Sequence, residues 1–404
     1  MVWRLAWRGL FRNSRRTFVI LAAVSVGIAG SALAIATNTG MAVQMVKTAI
    51  ATELGHVQIH APGFDEDPQL SVLLEDGGAR AVRAVEGAAD VRAWALRVRG
   101  QGLMNSPRAS VGIRVVAIQP DAESKVSSFA SSITEGEWFG ARRSRVVIGA
   151  GVARRLQAEM GDKVVLSVQD LAGDLTGQAF RIGGVFRTPS KSVNDSTVLV
   201  RLDEAQQLFG LSGGVSELIL VSDDSQDVDS LTEALSLALG ADAEVRSWKQ
   251  LQPLLVYLVE TMDQMAWVLY AAVFIAMGFG IANVLLMSIS ERTREIGVMM
   301  AVGMKPRRIV FSVVLESMIV TGLGLALGLG FGFFCVWLLQ GGIDLSRWAD
   351  GLESLGVGAV IVPVIRASDV VAPVVMASVA ALLASTWPAV RAAGLRPGEA
   401  LRHV

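Results

Sequence analysis

Residues 290–310 read SERTREIGVMMAVGMKPRRIV and follow directly on a long apolar run. Glu291, Arg292, Arg294 and Glu295 supply one charged face, and Ile296, Met299 and Met300 supply an apolar face at helical spacing. Gly303 and Pro306 then break the helix before a second apolar run begins. The pattern predicts a short amphipathic helix lying across a membrane surface, with its apolar pair turned to water. Two readings stand for it. An ordinary surface loop between two spans accounts for the charges, whereas a docking platform for a partner also accounts for the exposed apolar residues.

Working outward, charge-free apolar runs occur at Thr17–Ala36, Met265–Ile289, Ser317–Ile343 and Val370–Val390. Each is long enough for the ~20 residues that cross a hydrocarbon core of ~30 Å. The 404 residues are 52% hydrophobic with mean hydropathy +0.49, too apolar for one soluble domain, yet 18% are charged, too many for a chain wholly in lipid. The expected fold class is therefore an α-helical membrane protein with four transmembrane helices and a large α/β domain between helices 1 and 2. Residues 1–16 carry five Arg and no acid, residues 290–310 five basic and two acidic residues, and residues 391–404 three basic and one acidic. These three segments together carry +10 and belong in the cytoplasm, while 40–264 carries 21 basic against 29 acidic residues. The chain is thus expected to be a multi-pass membrane protein with both termini cytoplasmic.

The expected order is an interfacial amphipathic helix over 1–16, a first span over 17–39 and a periplasmic domain over 40–262. A second span over 263–289, a short amphipathic surface helix over 290–308, a third span over 309–340, an outer loop over 341–368, a fourth span over 369–390 and a tail over 391–404 follow. Arg4, Arg8 and Arg12 recur every four residues, as on an interfacial helix or a plain basic flank. The first apolar run and Ala32-Leu33-Ala34 also fit a signal peptide, but the run spans a bilayer rather than the ~7–15 residues of such a segment, which favours an uncleaved helix. In the large domain, alternating or β-branched runs at 55–60, 111–118, 145–148, 163–168, 180–186, 197–200 and 217–221 predict strands. Helical patterns near 72–85, 151–159, 202–209, 227–239 and 248–261 separate them, and the order suggests one subdomain inserted in another, near 95–205. The single cysteine, Cys335, is a small apolar residue in a span.

Enzymatic chemistry finds no foothold: G-x-x-x-x-G-K-[ST], H-E-x-x-H and G-x-S-x-G are all missing. Leu211-Ser212-Gly213-Gly214 reads as a turn. His56 and His60 share one face of a strand but lack further ligands, and read as surface histidines, so no metal site is expected. Gly324, Gly328 and Gly332 form two overlapping G-x-x-x-G units, a close-packing face for a helix of this chain or of a second copy. Glu316 is the ionisable residue lying well inside a span, two turns from its basic end, where Arg307 or Arg308 could pair with it.

These stretches carry a resemblance. ERTREIGVMMAVGMKPRRI, WPAVRAAGLRPGEALRH at 387–403, VVIGAGVARRLQAEMGDKVVL at 146–166, FRIGGVFRT at 180–188, LDEAQQLFGL at 202–211 and GIDLSRWADGLESLGVGAVIVPVI at 342–365 resemble FtsX/MacB-type ABC transporter permeases, most of all the lipoprotein-releasing (LolC/LolE-type) branch. The resemblance implies a dimer, with a second copy or a sister permease, bound to two copies of a cytoplasmic ABC ATPase. ATP and Mg would be held by that ATPase and no cofactor by this chain, and no nucleic acid is involved. It further implies type VII-like mechanotransmission, with Glu291, Arg292, Arg294, Glu295, Ile296, Gly297, Met299, Met300 and Gly303 coupling to the ATPase. In the lipoprotein branch the cargo is a lipoprotein or lipid drawn from the inner membrane, which would place Met41, Met45, Met262, Met265 and Trp267 at a cargo or lipid cavity, and a periplasmic carrier would receive it. The polar, basic Arg187-Thr188-Pro189-Ser190-Lys191 departs from that branch, since no carrier-recruiting hook is recognisable in it. Other branches imply a MacB-like exporter of peptides or small toxins with an adaptor and outer-membrane duct, or an FtsX-like signalling module that activates a cell-wall hydrolase.

Overall fold

The structure, a computed structural model, describes residues 14–64, 70–88, 90–140, 142–223 and 227–394. Nearly all of the interfacial helix expected over 1–16, and the tail beyond 394, lie outside the described residues. The chain divides into two compact units, one of 14–42, 259–343 and 361–394, the other of Val43–Leu258 and Asp344–Val360.

The first unit is built on four helices long and apolar enough to cross a membrane: Ser14–Ala49, Pro253–Glu291, Pro306–Leu338 and Ser368–Ala393, here spans 1 to 4. Pro306 opens span 3 at its first turn, where a missing N–H costs nothing. Val24, Ile28 and Ile35 of span 1 meet Tyr270 and Phe274 of span 2 and Ala372 and Ala377 of span 4, with Leu325 and Leu329 of span 3 packed against them. In lipid the backbone must satisfy itself, so long helices are the expected solution for these runs.

Among the described residues, the main sheet of the second unit has ten strands: β1 (Val57–His60), β2 (Val91–Asn105), β3 (Ser110–Ile118), β4 (Ile133–Gly136), β5 (Arg145–Gly149), β6 (Lys163–Gln169), β7 (Leu175–Phe186), β8 (Thr197–Arg201), β9 (Glu217–Ser222) and β10 (Glu244–Ser247). Two subdomains share the 15-residue strand β2. Its first half, from Val91 to Arg97, pairs antiparallel with β9 and so joins the order β10-β1-β9-β2, covered by helices Ala79–Glu86 and Val228–Leu239. Its second half pairs with β3 from Arg97 onward and with β6 from Gly102 onward. Because β3 pairs with β8, β8 with β5, β5 with β7 and β7 with β6, the second half closes a six-stranded ring around an apolar core. β1 and β9 are buried along their whole length, as strands covered on both faces must be. Gly55 enters β1 at φ 61°, where a β-carbon would stand 2.7 Å from the Leu220 carbonyl oxygen, so backbone and space both require glycine.

Leu211–Gly214 is a turn before β9, with Gly213 at φ 83° and the Gly214 carbonyl accepting from Gln206 Nε2 at 3.0 Å.

Candidate functional site: the helix between spans 2 and 3

The amphipathic stretch folds as a helix over Thr293–Ala301, with Arg292 at its N-cap. Ile296 is 5% exposed and packs with Ile289 of span 2, Ile309 of span 3 and Ala392 of span 4. Met299 and Met300 pack against the same cluster, and Gly297 is buried beside Ile296. The expectation that this apolar face, Ile296, Met299 and Met300, is turned to water is therefore corrected: it faces the span ends, because burial there removes the same area from water as a partner would. The outward stripe is Glu291, Arg294, Val298 and Val302, all exposed at helical spacing, with Val302 84% exposed. Gly303 ends the helix at φ 95°. Val298 and Val302 are thus the exposed apolar residues at this site, and the periodicity reading did not name them.

Glu316 of span 3 sits 3.3 Å from Arg292 Nη1, and Arg292 Nε is 3.4 Å from Glu295. The expected partners Arg307 and Arg308 lie on Glu316's own helix, where eight residues span about 12 Å of axis, whereas Arg292 arrives from the neighbouring helix. A cavity of about 50 Å³ beneath the helix is lined by Ser288, Arg292, Arg308, Ser312 and Glu316 with apolar walls.

The glycine stripe of span 3 meets span 1 of the same chain. A β-carbon on Gly324 would stand 2.7 Å from Val24 Cγ1, on Gly328 2.8 Å from Ile28 Cβ, and on Gly332 3.2 Å from Ala32 Cβ. Ser25 Oγ donates to the Gly324 carbonyl at 3.1 Å. Three successive contacts four residues apart on both helices describe parallel close packing of the small-xxx-small kind.

The five residues of the candidate cargo cavity differ in surroundings. Met45 is buried, whereas Met265 and Trp267 are 64% and 55% exposed. Met41 is half-buried, the Met262 carbonyl accepts from Asn38 Nδ2 at 3.1 Å, and the rings of Trp267 and Tyr270 meet edge to face.

Residues 17–237 match the MacB-like periplasmic core domain, and residues 267–397 match the C-terminal region of FtsX-like permeases. The chain belongs to the FtsX/MacB-type ABC permeases. This permease is 22% identical to the lipoprotein-releasing system transmembrane protein LolC of Neisseria meningitidis, over 98% of the chain and 99% of that protein. It is 25% identical to the macrolide export ATP-binding/permease protein MacB of Hyphomonas neptunium, over 83% of the chain and 53% of that protein, so it spans about half the length of its MacB relatives. Among solved structures it is similar to the periplasmic region of MacB from Actinobacillus actinomycetemcomitans, at 12% identity, 55% coverage of this chain, 96% of that one and TM-score 0.35.

The periplasmic domain of the permease holds a polar centre that the sequence reading passed over. Arg97 of β2, 1% exposed, donates from Nη2 to Glu123 Oε1 at 2.6 Å and from Nε to Glu123 Oε2 at 3.0 Å. Its Nη1 lies 3.6 Å from Glu217, which also forms an ion pair with Arg99, Nε to Oε2 2.8 Å. Burial disfavours the charged guanidinium, yet Glu123 and Glu217 hold Arg97 above its ordinary value. The signal was present as the alternating Arg97 and Arg99 in VRAWALRVRG, whose charges break the apolar pattern by which the other strands are recognised. His56 and His60, expected at the surface, are 9% and 1% exposed. His56 Nδ1 accepts from the Ser222 N–H at 2.9 Å, and His60 Nε2 lies 2.9 Å from Gln58 Oε1. Their strand is central in its sheet, between β9 and β10, which is why they are covered.

Proposed function

We propose that the chain is the membrane subunit of a transporter in which a separate cytoplasmic ATPase pushes on the helix Thr293–Ala301 and the spans carry that movement to the periplasmic domain. The observation that supports this most is the division of labour on that helix. Ile296, Met299 and Met300 seat it on the ends of three spans, while Arg294, Val298 and Val302 face outward and are exposed. A helix held this way moves with the bundle when its outer face is loaded. Basic residues on the flanks of spans 2 and 3 support a cytoplasmic position for this face. These 404 residues contain no G-x-x-x-x-G-K-[ST] loop, and on this reading ATP and Mg belong to the ATPase.

The work done outside is extraction of lipoproteins or lipids from the inner membrane. Similarity to LolC over nearly the full length of both chains supports it. The similarity to MacB favours a second reading, export through an adaptor. Native mass spectrometry of the chain, purified gently from its own membranes, separates them. Two ATPase copies with an acylated protein or lipid are expected. A co-purifying adaptor would shift the assignment to export, and the chain with no ATPase would remove the proposal.

A further inference from the structure

The first helix continues past Ala49 into a π-helical turn over Ile50–Leu54, a geometry that is rare and concentrated at functional positions. Of its last carbonyls, those of Ala51, Glu53 and Leu54 are taken by side chains or backbone of the periplasmic domain. The Ala51 carbonyl accepts from the Ser128 N–H at 2.7 Å. The Glu53 carbonyl accepts from Gln58 Nε2 at 2.9 Å, Arg97 Nη1 at 3.2 Å and Arg99 Nη2 at 2.9 Å. The Leu54 carbonyl accepts from the same Gln58 nitrogen at 2.9 Å. Two guanidinium groups at the negative end of a helix are favourable for the helix dipole as well as for the hydrogen bonds.

The side chain of Glu53 adds a second grip, pairing with Arg114 Nη1 of β3 at 2.6 Å. Arg97 and Arg99 both lie on β2, the strand shared by the two subdomains, and Arg97 is fixed in turn by Glu123 and Glu217. One helical turn is thereby tied to β2, to β3 of the closed ring and, through Glu217, to β9 of the open sheet. Beside it a cavity of about 230 Å³, lined by Thr52, Arg99, Gln101, Arg114 and Phe129 among others, leaves the half-exposed Glu53–Arg114 pair room to move.

Resting on the coupling role proposed above, we infer that Glu53 is a positioning residue: together with Arg97, Arg99 and Arg114 it clamps the end of the first helix, so that displacement along this helix is imposed on both subdomains through β2. A helix end capped only by water would slide or fray without moving the sheet. An end whose carbonyls and carboxylate are held by strands of two subdomains cannot.

Arg97, Glu123 and Glu217 are buried, and their variants would simply unfold the domain. Glu53 and Arg114 are the members to change. In the full complex of chain and ATPase in nanodiscs, hydrogen exchange of the peptides covering 91–105 and 197–222 is compared with and without ATP and vanadate. The wild type is expected to show a nucleotide-dependent change. Glu53→Arg and Arg114→Glu are each expected to reduce that change at least fivefold with ATP turnover within twofold of wild type, and the double variant Glu53→Arg/Arg114→Glu to restore it. Single variants that respond like wild type would overturn the clamp and leave the coupling role standing. Loss that the double variant does not restore would also overturn it, as damage to the fold. A wild type with no nucleotide-dependent change would overturn both the clamp and the coupling role.

Discussion

Gly328 of span 3 faces Ile28 of span 1 so closely that a β-carbon on the glycine would stand 2.8 Å from Ile28 Cβ and 2.9 Å from the Ser25 carbonyl oxygen. Gly324 and Gly332 repeat the approach one turn away on either side. In a bilayer, where apolar burial between helices gains nothing over lipid, such close approach is what dispersion forces have to work with.

Gly328→Leu is therefore expected to destabilise the helical bundle by about 1–3 kcal/mol through overpacking. Gly330→Leu serves as the control, since nothing lies within 4 Å of a β-carbon there. Denaturation of the full chain in detergent, followed through its tryptophans, reads the difference. Equal stability of the two variants would mean that the stripe does not hold span 1.

Ile296 and Val302 test the two faces of the helix between spans 2 and 3. Ile296→Ala should loosen its seat by about 2–5 kcal/mol, the usual range for emptying a buried isoleucine site. Val302→Ala should stay within about 0.5 kcal/mol. Hydrogen exchange over 293–301 in the full chain measures both, and the opposite ranking would reverse the assignment of faces.

Arg292 ties this helix to Glu316 across two elements. Glu316→Lys, which sets two cations against each other, should speed exchange over 293–301 about tenfold, equivalent to about 1.4 kcal/mol. Exchanging the pair, Arg292→Glu with Glu316→Arg, should recover most of the protection. A swap no better than the single variant would show that other contacts hold the helix.

His56 sets a pH dependence in the periplasmic domain. Burial, followed by the nearby positive charge of Arg92, lowers its pKa below the ordinary 6.5. A histidine depressed on folding is neutral in the native state, so its contribution is complete above about 6.5 and is lost as pH falls from there through the lower native value. Protection of the Ser222 amide, which donates to His56 Nδ1, should fall across that window after correction for intrinsic exchange. His56→Asn should flatten the profile; an unchanged slope would assign the pH dependence to other groups.

What the sequence made legible followed from the strength of each signal. The spans stood out because about 20 apolar residues have few other uses. β3, β6, β8 and β9 were visible through alternation or β-branched runs. β2, the strand that joins the two subdomains, was not, because Arg92, Arg97 and Arg99 break its apolar pattern. Their compensating acids, Glu123 and Glu217, lie far along the chain, and only folding brings them together. For the same reason, periodicity located the apolar face of 293–301 but could not say that the span ends already cover Ile296, Met299 and Met300. It located the glycine stripe but not Val24, Ile28 and Ala32 opposite it.

The central claim, that the outer stripe of the Thr293–Ala301 helix receives the ATPase, is tested most directly by co-purification. Full-length chain carrying Val298→Asp, or Arg294→Glu, is isolated in mild detergent beside wild type, and the ATPase bound per chain is quantified. Both variants are expected to fold, with unchanged exchange in the spans, and to retain less than a tenth of the ATPase held by wild type. Wild-type levels of ATPase on both variants would contradict the account.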